Sequence, residues 1–125
     1  MKVIEALRAA DDIRPNALLQ DTKLRWLSEL DGKIAVDVML MDIAEAQNFK
    51  YTQDDFDSEL LAAFPHDDVY VLWLVAQIDF ANGELNRYQD DKELYNNAWG
   101  EFVRWFARTY EPAQKKARDY ECTMN

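Results

Sequence analysis

The spacing of apolar residues along the chain predicts a protein built almost entirely from α-helices. In several segments apolar side chains recur every three or four residues, which places them on one face of a helix. The first such segment lies within residues 1–12, where Val3, Ile4 and Leu7 form a short apolar stripe. Pro15 predicts its end, because proline lacks a backbone donor and disfavours helical geometry in the residue before it.

A second and longer helix is predicted from Asp21 to Ala44, with Asp21 or Thr22 as its cap. Its apolar residues recur at helical spacing on one face: Leu24, Leu27, Leu30, Ile34, Val38 and Met41. Gly32 lies inside this helix and costs about 1 kcal/mol relative to alanine. It predicts either a close helix contact or a slight bend.

The helical pattern is then lost, and residues 45–65 are predicted to form an irregular connection with a short helix. Thr52 followed by Asp55 resembles a capping box, in which two side chains satisfy free backbone N–H groups at a helix start. We therefore expect the short helix to span about residues 53–63.

Pro65 is predicted to begin the next long helix, since proline is favoured at the first helical position. The segment Val69–Ala76 is apolar on nearly all sides, and apolar residues continue at helical spacing to Leu85. A helix that is apolar all round belongs at the centre of a bundle or at a subunit interface.

Residues 87–90 are predicted to break the helical pattern. A last helix is predicted from about Asp91 to Tyr110. The inner face of this helix is expected to carry Leu94, Ala98, Phe102, Trp105 and Phe106. The polar residues 113–125 are expected to form a loosely held tail. The fold class predicted by the whole pattern is all-α: residues 1–125 form a single domain, a small bundle of four to five helices.

Composition supports a globular domain and limits its partners. The chain has 125 residues, 49% hydrophobic and 30% charged, with a net charge of −10 from 24 acidic and 14 basic residues. Such an acidic surface repels nucleic-acid phosphates and anionic membranes, whereas it keeps an unassembled subunit in solution and suits a basic partner. The most apolar stretch, Val69–Phe80, contains Asp79 and falls short of the roughly 20 apolar residues of a membrane span. We therefore expect no membrane partner.

Patterns for catalysis or metal binding are missing from the sequence. The chain has one histidine, His66, and one cysteine, Cys122, whereas a zinc site needs three or four ligands of this kind. The acidic run Asp54–Glu59 lacks the glycine and the glutamate at the offsets that an EF-hand loop requires. We expect a protein that is not an enzyme, with no catalytic residue, cofactor, metal or small-molecule substrate. The sequence does not exclude a carboxylate pair formed by folding.

Interaction residues are predicted among the tryptophans. Trp26 lies beside the leucine stripe of the second helix, next to Arg25, and Trp99 is one position from the inner face of the last helix. Tryptophan and arginine are over-represented at binding hot spots. Arg25, Trp26 and Trp99 are therefore the candidate interaction residues, with core packing as the alternative for each tryptophan.

Several stretches spread over about residues 10–112 resemble a known family of small helical proteins. They are Pro15-Asn16, Lys23–Ile34, Phe64–Tyr70, Ala76–Glu84, Tyr88, Tyr95–Ala98, Trp105, Arg108 and Pro112. The family is the head–tail connectors, or neck adaptors, encoded in the head–tail joining cluster of siphophages and prophages of Gram-positive bacteria. Residues 45–63 have no counterpart in this resemblance.

The resemblance implies a structural protein of virion assembly, without catalytic residues. Such connectors form a ring of identical subunits beneath the portal after genome packaging, extend the DNA channel and dock the next neck or tail protein. The implied partners are the portal protein, the next neck or tail protein and further copies of this chain, while DNA passes through without sticking. The implied location is the virion, and the host cytoplasm during assembly.

A second function also suits the acidic charge, namely a DNA mimic or inhibitor of phage origin that binds a basic nucleic-acid-binding partner. The distribution of charge separates the two functions. A mimic needs carboxylates in a regular surface array, whereas the acids here are spread through every predicted helix together with 14 basic residues.

Overall fold

The computed structural model describes the backbone of residues 1–124 and the side chains of residues 1–109. Its five α-helices are α1 (Val3–Ile13), α2 (Gln20–Lys33), α3 (Ile43–Ala46), α4 (Asp68–Ala81) and α5 (Leu85–Met124). Within residues 1–124 there is no β-strand, and one isolated antiparallel bridge joins Lys2 to Glu59. The predicted fold, a small all-α bundle, is confirmed.

Helices α4 and α5 make the most extensive helix–helix contact of the fold, because a tight turn at residues 82–84 folds one back on the other. Gly83 has a φ of 74°, in the left-handed region that glycine adopts without a steric penalty. The N–H of Glu84 donates to the carbonyl of Asp79 at 2.9 Å, which satisfies one of the free carbonyls at the end of α4.

The predicted break at residues 87–90 is wrong, because α5 already begins at Leu85. The inner face of α5 also differs from the prediction. Leu94, predicted to face inward, is exposed, and Tyr95 is buried in its place. Phe102 is fully buried as predicted.

We expect Gly83→Ala to destabilise the protein by about 1 kcal/mol, because a Cβ disfavours the left-handed backbone. Gly32→Ala is a matched control of opposite sign. Gly32 lies in α2 with no atom within 4 Å of the position that a Cβ would take, so alanine should stabilise the helix by up to about 1 kcal/mol. Urea denaturation of both variants measures the two effects, and equal shifts would contradict the assignment of the turn.

Helix α2 is shorter than predicted: it stops at Lys33 instead of continuing to Ala44 and passes into a π-helical turn, Ile34–Val38. In this turn the N–H of Met39 donates to a carbonyl five residues earlier, at 2.9 Å, which widens the helix. Leu40 then adopts a φ of 57°, which prevents the helix from continuing. The close helix contact considered for Gly32 is not found.

The connection after α3 contains two 3₁₀ turns, Gln47–Phe49 and Gln53–Asp55. The predicted capping box is confirmed, since the N–H of Thr52 donates to an Asp55 carboxylate oxygen at 2.7 Å. The predicted helix over residues 53–63 is wrong. Backbone groups there bond the start of the chain instead, as when the N–H of Val3 donates to the carbonyl of Ser58 at 3.0 Å.

Helix α4 begins at Asp68, three residues later than the predicted start at Pro65. Val69, Tyr70, Leu74 and Val75 are buried, so this apolar segment lies in the core, as one of the two alternatives predicted. The core joins one face of each of α1, α2, α4 and α5. Among the described residues, no helix is both long enough and apolar enough to cross a bilayer. The predicted tail, residues 113–125, lies outside the residues whose side chains are described.

Candidate functional site

Three charged side chains are buried among the described residues: Lys23, Asp31 and Asp79. Removing a charge from water is costly unless partners compensate for it, so buried charges are the first place to look for a functional site. Each of the three has an oppositely charged or hydrogen-bonding partner on another segment of the chain.

Asp31 is fully buried and accepts three hydrogen bonds. Tyr51 and Tyr70 donate their hydroxyl groups at 2.5 and 2.6 Å, and the N–H of Leu61 donates at 3.2 Å. The Tyr70 hydroxyl oxygen also accepts from the N–H of Ala62 at 2.6 Å. Burial raises the pKa of Asp31, and the hydrogen bonds from both tyrosines oppose this rise.

The Asp31 cluster is structural and not catalytic. Its members come from α2, from the connection after α3 and from α4, so it joins three segments that are distant in sequence. Burial is the largest cause of the raised pKa of both tyrosine hydroxyl groups, which therefore stay protonated and act as donors. A carboxylate with its donors in place and no access to solvent has no position for a substrate.

Lys23 of α2 is also buried, with only 3% of the residue exposed. Its ammonium group bonds both carboxylate oxygens of Asp11 on α1, at 2.9 and 3.0 Å. The Asn16 amide donates to the same carboxylate at 2.9 Å and accepts from the N–H of Leu18 at 3.1 Å. This cluster stabilises the link between α1 and α2. Asp11 supplies hydrogen-bond acceptors for the buried ammonium group, and Asn16 holds the turn between the two helices.

The third cluster, which we call the acid cluster, consists of Arg14, Asp79 and Asp91. Arg14 Nε lies 3.1 Å from Asp79 Oδ1, and a second guanidinium nitrogen bonds Asp91 Oδ2 at 3.3 Å. Asp79 is 1% exposed, and its other oxygen, Oδ2, is buried without a hydrogen-bond partner. The sequence did contain a signal for this cluster, because an aspartate inside an otherwise apolar helix has to be buried with a partner.

A continuous row of aromatic rings, the aromatic strip, runs along α4 and α5. It consists of Trp73, Tyr95, Trp99, Phe102, Trp105 and His66. Neighbouring ring centroids are 4.9 to 6.4 Å apart, within the range of favourable aromatic pairs. Lys92 lies over one end, 5.2 Å from the centroid of the Trp73 ring. His66 is half-buried against Trp105, instead of lying free at the surface.

The three predicted interaction residues do not form one site. Trp26 is only 8% exposed and packs in the core, which is the alternative predicted for this side chain. Its backbone carbonyl accepts from Trp73 Nε1 at 3.1 Å. Trp99 is half-buried in the aromatic strip. Arg25 is exposed on α2, with Glu29 at 3.8 Å.

The described surface includes a cleft and a smaller apolar pocket. A cleft of about 740 Å³ runs between α2 and residues 50–54, lined by Arg25, Glu29 and Tyr51 among others. An apolar pocket of about 200 Å³ is lined by Met39, Leu61, Ala63, Phe102, Trp105, Phe106 and Thr109. The described residues hold no group of three or more side chains suited to bind a metal ion.

Two large apolar side chains that directly follow lining residues of the apolar pocket in the chain are exposed, and sequence reasoning missed both. Leu40, next to Met39, is 70% exposed, and Phe64, next to Ala63, is 83% exposed. We call Leu40, Phe64 and the residues lining this pocket the apolar surface. No periodicity predicts it, since Leu40 and Phe64 lie in irregular segments. Comparison with known proteins gives no match to a protein family, a curated protein or a solved structure.

Proposed function

We propose that this protein is a non-catalytic assembly component, the head–tail connector of a tailed phage or prophage. In this role it docks on the portal protein, joins the capsid to the next neck or tail protein and continues the DNA channel. The apolar surface carries the proposal. Large apolar side chains exposed beside a pocket are typical of surfaces that a partner covers.

The chemistry of the apolar surface suits a permanent contact between proteins. Phe64 and Leu40 are exposed, and each directly follows a residue that lines the pocket, Ala63 and Met39. Partners of this kind bury a few aromatic or aliphatic anchors in such pockets, and those anchors supply most of the binding free energy.

The charge of the chain suits the second part of the role. A ring of subunits that each carry a net charge of −10 presents a negative lumen. Like charge prevents tight contacts with phosphate groups, so DNA passes through such a ring without binding to it. The resemblance to neck adaptors supplies the identity of the partners.

The experiment is sedimentation velocity across a salt series, with and without portal rings. Alone at low ionic strength we expect a monomer or small oligomer, because identical acidic subunits repel each other over a Debye length of about 30 Å at 0.01 M salt. Higher salt or added portal should shift the protein to larger species. A protein that stays monomeric under every condition, portal included, contradicts the connector and favours the DNA mimic.

Phe64→Ser tests the apolar surface itself. We expect it to weaken portal binding by about 30-fold, the effect of losing a hot-spot anchor worth about 2 kcal/mol. Phe80→Ser is the matched control, because Phe80 is 58% exposed at the end of α4, near the turn. Arg25→Ala tests the cleft in the same assay, whereas Trp26 is unsuitable because its replacement would disturb the core. An equal loss of portal binding in Phe64→Ser and Phe80→Ser would exclude the apolar surface as the portal contact.

A further inference from the structure

The acid cluster lies where three helices meet. Arg14 follows the last residue of α1, Asp79 lies in the last turn of α4, and Asp91 lies in the second turn of α5. The other charged group that acts on Asp79 is Arg87 of α5. The cluster therefore connects the end of α1 to the hairpin formed by α4 and α5.

Within the acid cluster the charges do not balance when both acids are ionised, and Arg87, which is exposed, has the smallest effect on Asp79. Arg14 lies between two carboxylates, so the buried Asp79 and the partly buried Asp91 share one guanidinium. Asp79 Oδ2 has no hydrogen-bond partner. One added proton corrects both defects, because it removes the excess charge and allows one carboxyl to donate to the other.

We propose that the acid cluster is a proton-operated latch, which fastens the end of α1 to the α4–α5 hairpin when it takes up one proton. The proton bridges Asp79 and Asp91, while Arg14 stays paired with the remaining negative charge. Release of the proton restores two carboxylates around one guanidinium and loosens the last turn of α1. The inference does not depend on the proposed function.

The behaviour of Asp79 supports the latch. Burial raises the pKa of Asp79 to about 6, a hydrogen bond between its protonated carboxyl and Asp91 adds to the rise, and Arg14 opposes it. The folded protein thus holds the proton more tightly than the unfolded chain, in which the pKa is near the ordinary 3.8. The resulting stability is fully present below about pH 4 and is lost as the pH rises through about 6.

Carboxyl carbon NMR of the wild-type protein measures the titration directly. We expect the Asp79 signal to titrate with a midpoint near pH 6. A midpoint near pH 4 for the Asp79 carboxyl would overturn the latch. This measurement needs no variant, so it decides the question even if a substitution prevents folding.

Asp79→Asn tests the effect on the fold, because an amide does not take up the proton. In the wild type we expect the cluster to make the unfolding equilibrium constant about tenfold smaller at pH 5 than at pH 7.5. This tenfold difference should be missing in Asp79→Asn and retained in Asp90→Asn, an exposed aspartate next to Asp91. Asp31 also has a raised pKa. Because it is present in all three proteins, its contribution to the pH dependence of unfolding cancels in the comparison.

Hydrogen exchange reports on the latch locally. The N–H of Arg14 donates to the carbonyl of Ala10 at 2.8 Å and closes the last turn of α1. Its protection factor should be higher at pH 5 than at pH 7.5 in the wild type and independent of pH in Asp79→Asn. The same protection at both pH values in the wild type would show that proton uptake does not fasten α1, which would overturn the proposal.

Discussion

Asp31→Ala should destabilise the protein by about 2–4 kcal/mol, because it leaves buried donors without an acceptor. The hydroxyl groups of Tyr51 and Tyr70 and the N–H of Leu61 all lose their partner. Since these groups belong to α4 and to the connection after α3, the change also releases the contact between those segments and α2. Urea denaturation measures the loss as a lower midpoint.

Asp37→Ala is the matched control for this prediction. Asp37 is an exposed aspartate in the π-helical turn that follows α2, so its replacement should change the free energy of unfolding by less than about 0.5 kcal/mol. Equal effects of the two variants would show that the hydrogen bonds of Asp31 add nothing to stability. Asp31→Asn should fall between the two, because an amide keeps the shape and one acceptor oxygen.

The other large effect is expected from Phe102→Ala, which should cost about 3–5 kcal/mol. Phe102 is fully buried in the middle of the aromatic strip, and its ring contacts those of His66, Trp99, Trp105 and Phe106. Its removal leaves a cavity and also opens the wall of the apolar pocket. The folded protein therefore loses both the free energy gained by burying the ring away from water and the contacts that the ring makes with its neighbours. We expect the melting temperature to fall by about 10–20 °C.

Phe64→Ala provides the control, since the same side chain is removed from a position that is 83% exposed. Its melting temperature should stay within a few degrees of the wild type, as is usual for surface substitutions. If Phe102→Ala melts at the temperature of this control, the aromatic strip is not part of the core. A stable Phe64→Ala variant would also support the portal assay, because a loss of binding could then not be attributed to unfolding.

Features that depend on residues close together in the chain could be predicted from the amino-acid sequence. The stripe Leu24, Leu27, Leu30 and Ile34 is buried as its spacing predicted. The Thr52 capping box could also be predicted from the sequence, because its hydrogen bonds join residues that are three positions apart. Helical spacing and capping act within about four residues, so they follow from the local sequence without knowledge of any tertiary contact.

Features that depend on partners distant in the chain could not be predicted in this way and follow from tertiary contacts. Residues 56–60 bond the first residues of the chain and therefore do not form the predicted helix. Lys23 is buried because α1 brings Asp11 to it, and helical spacing gave no indication of that pairing. Trp26 is buried by its packing in the core, and its backbone carbonyl accepts from Trp73 of α4. Burial of a polar or amphipathic residue depends on what packs against it, and that partner is distant in sequence.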